Sequence, residues 1–193
     1  MPPARWSFAS EAQCSRHSLA VVGRRQVMGD AGDREMSEAR VEAWAPDDVF
    51  ESILRYSVIP TFDLILEGVE GILLVRRRIA PYRDLWALPG LRILKGEAIE
   101  ACLERIAHDE VGLQISPAQG MFINQAIAKF KTHHERQDLS TCYAFELEID
   151  QVTLNDEHLS SSIFIRDKST MPNAIGGLYR EHLYRYFDIK NSK

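Results

Sequence analysis

Trp86-Ala-Leu-Pro-Gly-Leu-Arg-Ile-Leu-Lys-Gly-Glu97, continued through Arg105 to Asp109-Glu-Val-Gly112, decides how this chain folds. Trp86 to Ile93 reads as a short strand broken by Pro89-Gly90, and Glu97 to Val111 follows as an amphipathic helix. Ile99, Leu103, Ile106, Ala107 and Val111 recur at three- and four-residue steps, so one stripe faces a core. Gly112 is placed to stop the helix in a left-handed C-cap. Arg105 and Asp109 share a face one turn apart, Glu110 follows, and Glu97 lies two turns before Arg105 on the same side. A solvated helix face with a salt bridge of little energetic worth would carry the same charges. The Leu-Pro-Gly turn before the helix and Gly112 after it shift the balance towards a built site.

Outward from this stretch, Asp47 to Tyr56 has helical spacing behind aspartates that complement a helix N-terminus. Pro60 ends any helix; Thr61 to Leu66 and Ile72 to Arg76 then read as two strands joined by the turn Glu67 to Gly71. Ala80 to Asp84 is a proline-containing loop. Met121 to Ala128, Thr141 to Ile149 and Ser161 to Ile165 read as further strands, with a polar, histidine-containing loop from Lys129 to Leu139. Leu178, Leu183 and Tyr186 support a closing helix between Asn173 and Ile189. The order of helix, strands, helix, strands, helix gives an α/β (mixed α+β) fold with a mixed sheet sandwiched between helices.

A chain of 193 residues with 45% hydrophobic and 26% charged side chains suits a single buried core. The domain is expected over residues 45–190. A net charge of −5 supplies no global field towards nucleic acid or an anionic membrane, so anionic substrates have to be captured by local arginines. No apolar run reaches the ~18 residues that span a bilayer. The odd set Cys14, Cys102 and Cys142 lacks metal-like spacing and suits a reducing cytosol, so the expected location is cytoplasmic. Residues 1–40 differ from the rest. Arg5, Arg16, Arg24 and Arg25 lie among serines, with Glu11 the one acid before Met28. This start is expected to be a disordered extension or translation from upstream of a start at Met28 or Met36. An organelle transit peptide is the other reading.

Breaking a diphosphate linkage requires charge neutralised on non-bridging oxygens and a placed nucleophile. Magnesium does this with one or two carboxylates and several waters, so neighbouring acids on a rigid helix are suitable ligands. Asp63 inside an apolar strand is costly unless paired, which marks it as a candidate site residue. Arg77 stands within Arg76-Arg-Arg78 and could equally be a surface arginine. His133 and His134 in the loop are further candidates on proximity alone, and each is expected to be solvated.

The stretch resembles a Nudix box. Registered on Gly112 and Leu113, Glu97, Arg105, Glu110 and Gly112 stand on signature positions, with Asp109 a conservative match. Leu91 replaces the first glycine, and Ile106 replaces the glutamate after the arginine. Loss of that glutamate is similar to the GDP-mannose mannosyl hydrolase branch. Thr61-Phe-Asp-Leu-Ile65, Leu74-Val-Arg-Arg77, Leu88-Pro-Gly-Leu-Arg92 and Leu103-Glu-Arg-Ile106 follow the same pattern.

The resemblance implies a hydrolase of a nucleoside diphosphate sugar that uses Mg2+, with Mn2+ as a substitute, and that forms a homodimer. It implies metal binding by Glu110 and the Gly90 carbonyl, with Asp109 and Glu97 as further acids of the box. Arg92 and Arg105 are implied in catalysis, and Asp63, Arg77 and Arg92 in contact with the diphosphate or nucleotide-sugar. Phe130 falls where the branch has a loop tyrosine, keeping the ring without the hydroxyl. Late in the chain the branch carries Asp-Glu-Gln-His, whereas this sequence has Asp156-Glu-His-Leu159. Ungapped, His158 takes the metal-binding glutamine's place and Leu159 the base's. With one deletion, His158 is the general base and Glu157 approaches the metal. A histidine titrates in the right range for a base near neutral pH. The rival reading is a Nudix fold that binds or regulates without catalysis, favoured by Leu91, Ile106 and Leu159.

Overall fold

A computed structural model describes residues 45–192, except His133. The expectations for residues 1–40 and for His133 lie outside the described residues, as does Cys14. Helix α1 spans Asp47–Tyr56, with two aspartates in its first turn and Arg55 in its last, and buries no residue fully. Strand β1, Val58–Gly68, and β2, Gly71–Arg77, form the hairpin. Pro60 lies inside β1 rather than ahead of it. It accepts a hydrogen bond from Ile93 N through its carbonyl, and the β4 pairing that would need a donor starts one residue later, at Thr61.

Strands β3, Trp86–Ala87, and β4, Gly90–Arg92, are the two halves of the strand broken at Pro89-Gly90. Helix α2 runs over Ile99–Val111, two residues shorter than its pattern suggests. Glu97 instead belongs to the preceding turn, where its amide donates to Leu94 O and its carboxylate accepts from Leu94 N. Ile99 is exposed and drops out of the expected core stripe, while Leu103, Ile106, Ala107 and Val111 keep it, joined by Cys102. Gly112 caps the helix at φ 69°. Strands β5, Met121–Lys129, and β6, Gln137–Glu146, reach into the segment expected as loop and pair as far as Lys129↔Gln137. Strand β7, Leu159–Ile165, and helix α3, Gly177–Asn191, complete the order.

The seven strands form one mixed sheet in the order β3-β2-β1-β6-β5. β1 runs parallel to β6 along its length, and its other edge parts from β2 after Glu67↔Ile72. β4 takes the edge so opened on β1, and β7 pairs with β2. Helix α2 packs against β1 and α3 against β5. The fork between β1 and β2 therefore faces β4, the end of α2 and the start of α3. Among the described residues, no helix is long and apolar enough to cross a membrane.

Candidate active site

At this fork lies a cavity of about 410 Å³, lined by Asp63, Arg77, Gly90, Arg92, Arg105, Asp109, Glu110, Phe130 and His158 among others. Apart from Glu97, the residues implied in metal binding, catalysis and substrate contact thus meet there, although they come from six separate parts of the chain. Ile106 explains part of the chemistry. It is fully buried one helical turn before Glu110, so an apolar side chain fills the place beside that carboxylate.

Glu110 is itself 2% exposed, and its Oε1 lies 2.6 Å from His158 Nδ1. Two backbone hydrogen bonds make this meeting possible. Asn155 N donates to Glu110 O and Thr153 N to Val111 O, strapping the segment before β7 onto the end of α2. His158 N then donates to Asn155 O. Of the two arrangements of Asp156 to Leu159, Leu159 is buried in the core and Glu157 is exposed off the cavity wall, whereas His158 lines it. Asp109 also lines the cavity, with His108 Nδ1 3.0 Å from its Oδ1.

Glu97 and Arg105 form a partly buried pair that braces the site. Arg105 donates from Nε and Nη2 to the two carboxylate oxygens at 2.6 and 2.8 Å, and Nη2 also donates to Arg92 O at 3.0 Å. Burial alone would raise the Glu97 pKa. The Arg105 hydrogen bonds and the Leu94 amide outweigh it, holding the carboxyl below its ordinary 4.5. The same hydrogen bonds raise the Arg105 pKa against the cost of burial. Charge-assisted bidentate geometry of this kind is stiff. Glu97 stands outside the cavity wall with its oxygens committed, so its geometry is that of a brace on β4 rather than a metal ligand.

The arginines are individually placed. Arg77 Nε donates to Pro81 O at 2.8 Å and turns towards the cavity, while Arg76 and Arg78 are exposed. Arg92 lies 4.0 Å over the Phe50 ring of α1. Burial, then the charges of Arg136 and Arg105, lower its pKa, a sign of concentrated positive potential. Arg136 and Asp138, which sequence reading missed, form a second bidentate pair at 2.7 and 2.8 Å on the wall. Burial raises the Asp138 pKa, with Arg136 opposing. Phe130 joins Tyr82 and Tyr179 in an aromatic group, with ring centroids 5.1 and 5.4 Å apart around Tyr82. His134, expected to be solvated, is buried and lies off the cavity wall.

Among the described residues, no group of three or more His, Cys, Asp or Glu side chains is arranged to hold a metal ion. The carboxylates lining the cavity are Asp63, Asp109, Glu110 and Asp138, of which Asp109 and Glu110 are neighbours on α2, and the backbone of Gly90 lines it too. Such hard oxygen donors fit magnesium held partly by substrate phosphates and water.

The NUDIX domain family model matches residues 59–166. The low-salt glycan biosynthesis protein Agl8 of Haloferax volcanii is 25% identical over 128 residues, covering 62% of this chain and 78% of that protein. The MutT NUDIX hydrolase from Burkholderia pseudomallei superposes with a TM-score of 0.60 at 15% identity, covering 67% of this chain and 98% of that one. The NUDIX domain of Shewanella oneidensis NrtR, solved in complex with ADP ribose, gives 0.58 at 17% identity over 79% of this chain and 98% of that one. At these identities the solved structures speak for the fold alone.

Proposed function

The chain belongs to the NUDIX domain family, and on that premise we propose that it is a magnesium-dependent hydrolase of a nucleoside diphosphate sugar of the GDP-mannose kind, releasing sugar and nucleoside diphosphate. The observation that carries this reading is the contact of His158 with Glu110 inside an arginine-walled cavity. Glu110 accepts from His158 Nδ1–H, which leaves Nε2 as the ring's acceptor for a water proton. Water oxygen bonds to the anomeric carbon, its proton passes to His158 Nε2, and the bond from that carbon to the diphosphate oxygen breaks. The leaving diphosphate carries the electron pair, and Arg77, Arg92 and Arg136 offset its charge. Arg105 acts through Glu97 and the Arg92 carbonyl, holding β4 in place. Magnesium, held by Glu110 with Asp109 and the Gly90 carbonyl, would supply further neutralisation of the diphosphate oxygens. Asp63 and the ring of Phe130 contact the nucleotide-sugar. The active species is a homodimer in the cytoplasm.

The direct experiment is incubation with GDP-mannose and GDP-glucose with and without Mg2+, followed by product analysis. Sugar and GDP support the reading. Sugar phosphate and GMP place attack at phosphorus instead, and no turnover of either compound refutes hydrolysis of this class. Glu110→Gln should remove activity under the same conditions.

A second reading, a NUDIX fold that binds a nucleotide-sugar without hydrolysing it, draws on buried Ile106 and the thin acid set. Calorimetric binding of GDP-mannose that is indifferent to Mg2+, without turnover, would select it.

A further inference from the structure

Helix α3 begins beyond the NUDIX-matched segment, yet it supplies part of the cavity. Leu178 and Tyr179 of its first turn line the wall, and Tyr82 Oη lies 3.4 Å from Leu178 N. One turn further, His182 is fully buried, with its ring between two polar side chains. Its Nδ1 lies 2.7 Å from Asn124 Oδ1 of β5, and its Nε2 lies 2.9 Å from Ser140 Oγ of β6. Ser140 Oγ, also fully buried, donates to Asp63 Oδ2 on the cavity floor. His182 Nε2 is 3.7 Å from that same oxygen.

Counting donors orders this chain of contacts. A carboxylate only accepts, so the Ser140 proton is spent on Asp63. Ser140 Oγ then takes a hydrogen bond from His182 Nε2–H, and His182 Nδ1 pairs with the Asn124 side-chain amide. A buried serine and histidine are costly to keep away from water unless satisfied in this way. Register reinforces the placement. Asp63 lies opposite Cys142 on β6 and opposite Gly90 on β4, with Ser140 opposite Thr61, two residues along β1.

We propose that His182, acting through Ser140, is a positioning residue that holds the Asp63 carboxylate in its orientation on the cavity floor, so that α3 is an integral part of the site. The role of Asp63 towards a nucleotide-sugar rests on the function proposed above; the Asn124–His182–Ser140–Asp63 chain does not.

Two measurements separate these. The first needs no substrate: imidazole 15N–1H spectra of the full chain should show the His182 Nε2–H protected from exchange. In Ser140→Ala the Nε2–H should lose that protection. A His182 ring that is unaffected by Ser140→Ala overturns the proposal, whatever the enzyme acts on. The second is kinetic, with GDP-mannose and Mg2+. His182→Leu should lower kcat/KM by about 10- to 100-fold, the scale of a misplaced contact group. His182→Gln, which can still donate to Ser140, should recover most of that loss. In an Asp63→Asn background, His182→Leu should add little, since both act through one carboxylate. Fully additive losses overturn the positioning role and leave a structural one. Should His182→Leu fail to fold, Ser140→Ala carries the same comparison. If the wild type turns over neither GDP-mannose nor GDP-glucose, the function proposal fails, and the spectra still decide the positioning role.

Discussion

Replacing Gly90 by alanine tests how rigidly the cavity floor is built. A Cβ there would lie 2.0 Å from Asp63 Oδ1, a full ångström inside the 3.0 Å below which Cβ atoms essentially never come. It would also lie 2.8 Å from Phe62 O, which is backbone in the β1 strand. Relief can come in two ways. Either β4 withdraws from β1, loosening the Asp63↔Gly90 pairing, or the Asp63 carboxylate turns and gives up its bond from Ser140. Overpacking costs about 1–3 kcal/mol, and a hydrogen bond to a charged group about 1.5–3 kcal/mol. Either route should therefore lower stability by about 2–3 kcal/mol. For a domain of this size that is a fall in Tm of roughly 4–12 °C. Scanning calorimetry of the full chain reads this directly. Gly177→Ala is the matched control, because the one atom a Cβ would meet there within 4 Å is Tyr82 Oη at 3.9 Å. It should leave Tm unchanged or raise it, by under about 1 kcal/mol of stability. A Gly90→Ala protein that melts within about 2 °C of the wild type, less than 1 kcal/mol for this size, would refute the argument. Asp63 would then be able to move aside at little cost, and the floor would not be rigid.

Other consequences concern the paired charges and the helix cap. Because the Glu97 pKa is held below 4.5, its contribution is present above that value and is lost as pH falls through the lower folded value. Glu97→Gln should therefore cost about 2 kcal/mol at neutral pH, with a Tm gap that closes in acid; a gap independent of pH would contradict this. Asp138 has the opposite sign. Its raised pKa means a contribution fully present below 3.8 and lost as pH rises through the folded value. Wild type should therefore lose ground against Asp138→Asn as pH increases across that window in paired thermal melts, and a constant difference would count against it. Gly112→Ala places a Cβ 2.8 Å from Thr153 Cβ at φ +69°. The strap from Thr153 and Asn155 that presents His158 should loosen, with a loss of about 1–2 kcal/mol and lower activity than the Tm change explains. Equal activity at a temperature where both proteins are folded would separate cap from site.

The residues legible in sequence are those whose roles are local. Periodicity located α2 and its core stripe, and glycine at 112 announced a left-handed cap, because helical spacing and φ preference are properties of neighbouring residues. The hairpin and the break at Pro89-Gly90 follow from the same short-range chemistry. The box carried the family, and with it Gly90, Arg92, Arg105, Asp109 and Glu110 of the cavity's lining. Its limits were local as well: Ile99 fits the stripe by spacing yet is exposed, since its turn sits at the open start of α2. Glu97 looked like one acid of a cluster, but the turn at Leu94 and the reach of Arg105 commit it to bracing β4.

What only the tertiary structure decided is which distant groups share a low-dielectric space. Glu110 and His158 are 48 residues apart, Ser140 and Asp63 77, and His182 reaches Asn124 across 58. Strand register and the packing of α3 set those meetings, and no periodicity encodes them. Arg136 and Asp138 were invisible for the same reason: a charged pair two residues apart reads as surface until a neighbouring strand buries it. Sequence determined the elements and the chemistry each could offer. The partner that holds a buried carboxylate is chosen by the fold, because an unsatisfied charge away from water costs more than any local preference can supply.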